Sequence, residues 1–118
     1  MVTIELVAEA ILKRDSLLVR SLSQDFLSGT KRLSDVERPE SNDERVLATA
    51  AAIIELFAAQ RHEPPPGWTQ AVGPLAEPIF LLKEAEGMKH LRALCENQAP
   101  EPLRRRRLYA PPNFLVFA

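Results

Sequence analysis

The chain has 118 residues, of which 46% are apolar and 26% charged, with a formal net charge of −1. This balance fits one globular domain (1–118) able to bury a core without disulfide or metal, and excludes a disordered or fibrous chain. A lone cysteine, Cys95, rules out an internal disulfide, and the opening residues are amphipathic rather than leader-like, so a reducing cytoplasm is the expected compartment. The longest apolar run, 46–59, is interrupted by Glu55 and falls short of the roughly eighteen residues that a membrane span needs, so no membrane contact is expected.

Charge is polarised along the sequence. Residues 1–87 hold nine Lys/Arg against fourteen Asp/Glu, while 88–118 hold six against two. Such asymmetry can mark an interaction end, although the weakly acidic whole argues against a protein whose main task is coating nucleic acid.

In chain order, Ile4, Val7, Ala8 and Ile11 recur at three- and four-residue spacing and predict a helix over 2–13. Asp15 or Ser16 can cap a second helix over 17–28, with Leu18, Leu22 and Phe26 as its inner stripe and Gly29 as its stop. Residues 30–40 lack a sustained period and read as a connection with one turn of helix around Asp35. Ser41 and Glu44 then have capping-box spacing, Asp43 and Glu44 suit the positive end of a helix dipole, and Arg61 and His62 suit its negative end. The helix so delimited, about 43–61, is apolar on nearly every side, the mark of a central core helix. Pro64, Pro65 and Pro66 end it.

Beyond Gly67 the chain becomes irregular. Trp68 is its one large anchor there, read mainly as a cover over the core edge with its indole N–H on a carbonyl or water, and secondarily as a binding contact. The run "IFLL" after Pro78 predicts a short buried strand or strap. A further helix should start at Ala85 or Glu86 and run through Met88, Leu91, Leu94 and Cys95 to about Asn97. Pro100 and Pro102 allow one short helix more, which would place Arg104 to Arg107 on its last turn, and 108–118 is expected as an extended apolar segment. The fold class is therefore mainly α: a compact helical bundle around the central helix, with short extended straps in the C-terminal half.

The chemistry on offer is thin. His62 and His90 fall on different elements and outside any spaced metal motif. Cys95 follows Leu91 at helical spacing and reads as a buried thiol, Glu84 and Glu86 read as solvated charges, and four glycines make no phosphate loop. No catalytic residue, cofactor or metal is assigned, and the protein reads as a non-enzyme. As a helix-turn-helix the first two helices would present a weak reader, since the outer set Arg20, Ser21, Ser23, Gln24 and Asp25 has one cation and one anion. The arginine run is the better nucleic-acid candidate, but only Tyr109 stands beside it as a stacking aromatic.

The stretch from "PPPGW" through "LAEPIFLL" to "LRALCENQAPEPLRRRRLYAPPNFL" resembles small bacterial proteins, often uncharacterised, that accompany toxin-like nucleotidyltransferases. The resemblance implies an antitoxin-like or accessory role exercised by binding, and it supplies no catalytic residues. The resulting expectation is a protein-interaction module whose contact residues are Arg104, Arg105, Arg106, Arg107, Tyr109, Phe114, Phe117 and Trp68. Its partner would be another protein, such as a toxin-like enzyme, or a second copy. The alternative is a small nucleic-acid-binding regulator that uses the same arginines. The apolar tail must be covered either by the protein's own core or by another chain.

Overall fold

In the computed structural model, which describes residues 2–116, the first helix, α1 (Ile4–Leu12), begins where the extended Thr3 turns its hydroxyl back to accept from the Leu6 N–H at 3.3 Å. Its predicted stripe is buried as Ile4, Val7, Ala8 and Ile11, with Ala10 added. Arg14, at φ 60°, reverses the chain, and Asp15 caps α2 (Ser16–Gly29) by accepting from the Leu18 N–H at 3.1 Å.

The inner face of α2 differs from the expected one. Val19, Ser23 and Phe26 are buried, whereas Leu18 is 41% exposed and Leu22 only half-buried. Phe26 belongs to both faces, so the helix is turned by less than one residue step of about 100° from the orientation its leucines favour. That turn stacks Phe26 on Phe57, with ring centroids 6.3 Å apart. Arg61 then closes the end of α2 by donating to the carbonyls of Leu27 at 2.7 Å and Thr30 at 3.0 Å.

A single 3-10 turn, Leu33–Asp35, lies within the predicted connection. Helix α3 (Glu44–Arg61) is the expected central helix, with buried residues at Val46 and throughout 48–58. Its cap is Asp43, which accepts from the Arg45 N–H at 2.9 Å, while Ser41 accepts from the N–H of Asp43 instead of closing a box with Glu44. At the other end His62 takes the left-handed conformation (φ 57°) and the Glu63 N–H returns to the Ala58 carbonyl at 2.9 Å, so the helix stops before its prolines are reached.

Around α3, α1 packs along one side, while a 3-10 turn at Gly67–Ala71 and the short helix α5 (Glu101–Arg104) pack on the other. Strand β1 (Ile79–Phe80) pairs in parallel with β2 (Leu108–Tyr109), Ile79 opposite Leu108 and Phe80 opposite Tyr109. Helix α4 (Lys89–Gln98) starts later than expected, because residues 83–86 form a 3-10 turn that ends at Gly87. It rests on that turn and not on α3, so of its anticipated stripe only Cys95 is buried, and Met88 is 57% exposed.

Helix makes up 58% of the residues and strand 3%. This is the mainly helical architecture with short straps that the sequence implies. Of the expected extended segment 108–118, Leu108–Tyr109 is strand, but residues 112–115 correct the rest of the described part, since they form turns, with Leu115 at φ 60°. Two consecutive prolines, Pro111 and Pro112, set up that turn, in which the Phe114 N–H donates to the Pro111 carbonyl at 3.0 Å.

Candidate functional site

The arginine run begins at the end of α5. Pro102 occupies the first turn of that helix, where its missing N–H costs nothing, and Arg105 leaves it in helical geometry. Arg107 then takes φ 67° and turns the chain into β2. A helix end followed three residues later by the left-handed Arg107 keeps the four side chains from sharing one face.

The four arginines end on three parts of the molecule, Arg105 and Arg106 sharing Glu55. Arg104 donates to the Asn97 carbonyl at 3.0 Å, tying α5 to the end of α4, and Arg107 donates to the Ala76 carbonyl ahead of β1. Arg105 is exposed but reaches Oε1 of Glu55. Arg106 is 2% exposed, and its guanidinium lies between α3 and the Gly67–Ala71 turn.

All five N–H groups of Arg106 are used. Nη1 donates to Glu55 Oε1 at 2.7 Å and the Pro102 carbonyl at 3.0 Å, Nη2 to Glu55 Oε2 at 3.0 Å and the Thr69 carbonyl at 2.8 Å, and Nε to the Val72 carbonyl at 3.2 Å. The fork of a guanidinium matches a carboxylate edge to edge, which lysine could not do. Burial pushes the Glu55 carboxyl up, but the Arg106 hydrogen bonds and charge, helped by Thr69 and Arg105, outweigh it and hold the group below its ordinary 4.5.

Glu55 is not among the contact residues that the sequence suggests. Its signal was there: one carboxylate inside a helix that is otherwise apolar on every side needs a cation or a proton. The run at 104–107 supplies the cation, but spacing does not tell which of four arginines it is.

The other anticipated contact residues do not gather around this centre. Tyr109 lies half-buried against Phe80, ring centroids 5.4 Å apart, and the Arg92 guanidinium sits 4.6 Å over the same Phe80 ring. Trp68 donates its indole N–H to the Val36 carbonyl at 2.8 Å, the covering role expected of it. Phe114 packs on the core, and Phe117 lies outside the described residues. Cys95 is buried, and burial, with Glu96 second, pushes its thiol up. His62 and His90 are both exposed.

Two of the surface hollows border the C-terminal half. One of about 620 Å³ is bordered by the continuous segment Leu75–Phe80 and by Arg14, Arg45, Arg92, Glu44 and Glu86, with Glu77 in that segment, so its charges balance. The other, about 370 Å³, runs between the start of α2 and the C-terminal segment. Its walls are Ile11, Val19, Leu81, Leu82, Phe114 and Leu115, and its rim carries Arg14, Arg20 and Lys83 against a single Glu84. Among the described residues no cluster of three or more His, Cys, Asp or Glu is placed to hold a metal, and no helix is long and apolar enough to cross a membrane. Comparison of the chain with protein families, with curated proteins and with solved structures gives no match.

Proposed function

We propose that this protein works by contact, as an accessory or antitoxin-like module that receives a segment of a partner protein in the 370 Å³ groove between α2 and the C-terminal segment. The observation that carries this reading is the composition of the groove: six apolar walls, two of them Phe114 and Leu115 from the tail, under a rim where Arg14, paired with Glu86 at 2.5 Å, Arg20 and Lys83 outnumber Glu84 and Glu86 by one. A segment with apolar side chains flanked by acidic ones complements it.

The basic part of the contact narrows to the outward arginines. Arg106 faces inward with every donor engaged, so Arg104, Arg105 and Arg107 are what the run offers to a partner. The same engagement weighs against a phosphate grip built on all four.

Affinity capture from native cells, comparing the wild type with Lys83→Glu and Asn113→Glu in the groove lining, tests the proposal. Both positions are exposed, so the fold should be unchanged. One protein retained by the wild type and lost from both variants, with binding that weakens as salt rises, supports the reading. Retention by the groove variants, or capture only of nucleic acid that Arg104→Gln and Arg107→Gln release, overturns it.

A further inference from the structure

Glu55 and Arg106 are the two buried charged residues among those described; the other buried polar side chains are Ser23, Thr49 and Thr69. They sit on one interface. The layer of α1, α2 and α3 closes through Ile4, Val7, Ala8, Ile11 and the Phe26–Phe57 stack, with no buried charge between its helices. The C-terminal segment closes on α3 through α5 with the unexposed Leu103 and through the Glu55 carboxylate, and Leu108 and Ala110, equally unexposed, continue the same core.

We propose that Glu55 and Arg106 form an acid-released latch: protonation of Glu55 frees the segment 100–110 from α3 while the layer of α1, α2 and α3 stays folded. The reason lies in the partners. A guanidinium keeps its charge at any pH at which proteins are handled, so Arg106 cannot neutralise itself when its counter-charge is lost. A neutral carboxylic acid leaves it as a bare cation at 2% exposure, a state that interiors do not tolerate, and Arg106 must move to water. Leu103 and Leu108 lie three and two residues away and move with it.

The charged groups that face Glu55 are Arg105 and Arg106, both from the turn after α5; the Gly67–Ala71 turn contributes the uncharged Thr69. The carboxyl alone sets the response. Because it is held below 4.5, the latch is fully closed above that pH and opens as pH falls through the lowered folded value.

Hydrogen exchange read by mass spectrometry, at neutral pH and at about pH 3, locates the opening. Peptides covering 101–110 should lose protection by about 100-fold or more in acid, while those of α1 and the first half of α3 keep theirs. Since acid protonates every surface carboxylate, two variants isolate Glu55. Glu55→Gln should show the acid pattern already at neutral pH. The double variant Glu55→Met with Arg106→Met, in which an apolar pair replaces the ionic one, should keep 101–110 protected in acid. Loss of protection in both layers at once, or release of the double variant at the same pH as the wild type, overturns the proposal. If Glu55→Gln fails to fold, the double variant decides alone.

Discussion

Arg106 and Glu55, 51 residues apart in sequence, meet edge to edge, Nη1 on Oε1 at 2.7 Å and Nη2 on Oε2 at 3.0 Å. One member of a charged run is therefore a core residue, and its neighbours are not. Arg106→Met removes the counter-charge from a buried carboxylate and should lower stability by about 3–5 kcal/mol. Arg104→Gln, at an exposed position, should change it by about 0.5 kcal/mol or less. Urea titrations of the two variants check the contrast, and equal effects would mean that the run acts as one solvated patch.

His62 offers a change in the opposite direction. It holds φ 57° at the exposed end of α3, a conformation that costs a residue with a Cβ about 1 kcal/mol and glycine almost nothing. His62→Gly should raise the melting temperature by a few degrees. An unchanged or lowered value would show that the imidazole contributes more than its backbone costs.

Trp68 ties the turn before β1 to the connection after α2 through Val36. Trp68→Phe keeps most of the ring and loses the indole N–H, so a destabilisation of about 1 kcal/mol is expected. Urea unfolding followed by circular dichroism provides the measurement. A loss several times larger would place the energy in packing instead.

The tail docks on its own chain through Leu115, buried at the edge of the core, and through the Leu115 carbonyl, which accepts from Gln60 Nε2 at 3.4 Å. Ending the chain after Pro112 should cost at least the burial of one leucine, about 1.5–3 kcal/mol. A truncated protein that melts with the full chain would return the tail to the role of a clamp for another molecule.

Cys95 has no exposure, and its raised pKa leaves less thiolate at any given pH. At mildly alkaline pH a disulfide reagent should therefore react with the native protein at least about 100-fold more slowly than with the denatured one. Comparable rates would mean that α4 opens readily from its supporting turn.

Reading the sequence alone placed α1, α2, α3 and the short α5 to within two or three residues, because capping residues, prolines and helical periodicity are local signals. It misplaced what depends on contacts distant in the chain. Leu18 and Leu22 were stronger candidates for an inner stripe than Val19 and Ser23, and only the fit of Phe26 to Phe57 chooses between them. Met88 and Leu94 looked like core because nothing in α4 says that it packs on a 3-10 turn instead of on α3. The arginines posed the hardest case. Four identical side chains in a row carry no information about direction until α5 and the left-handed Arg107 have fixed it.

The separation of Glu55 from Arg106 also bears on how the chain comes to fold. At about 5–20 residues per second, synthesis delivers Arg106 some 3–10 s after Glu55. Helices form and pair far faster than that. Until the segment that carries Arg106 docks, α3 keeps one flank open to water, with Glu55 on that flank solvated. The carboxylate thus keeps an unfinished surface polar until the residue that will cover it has been made.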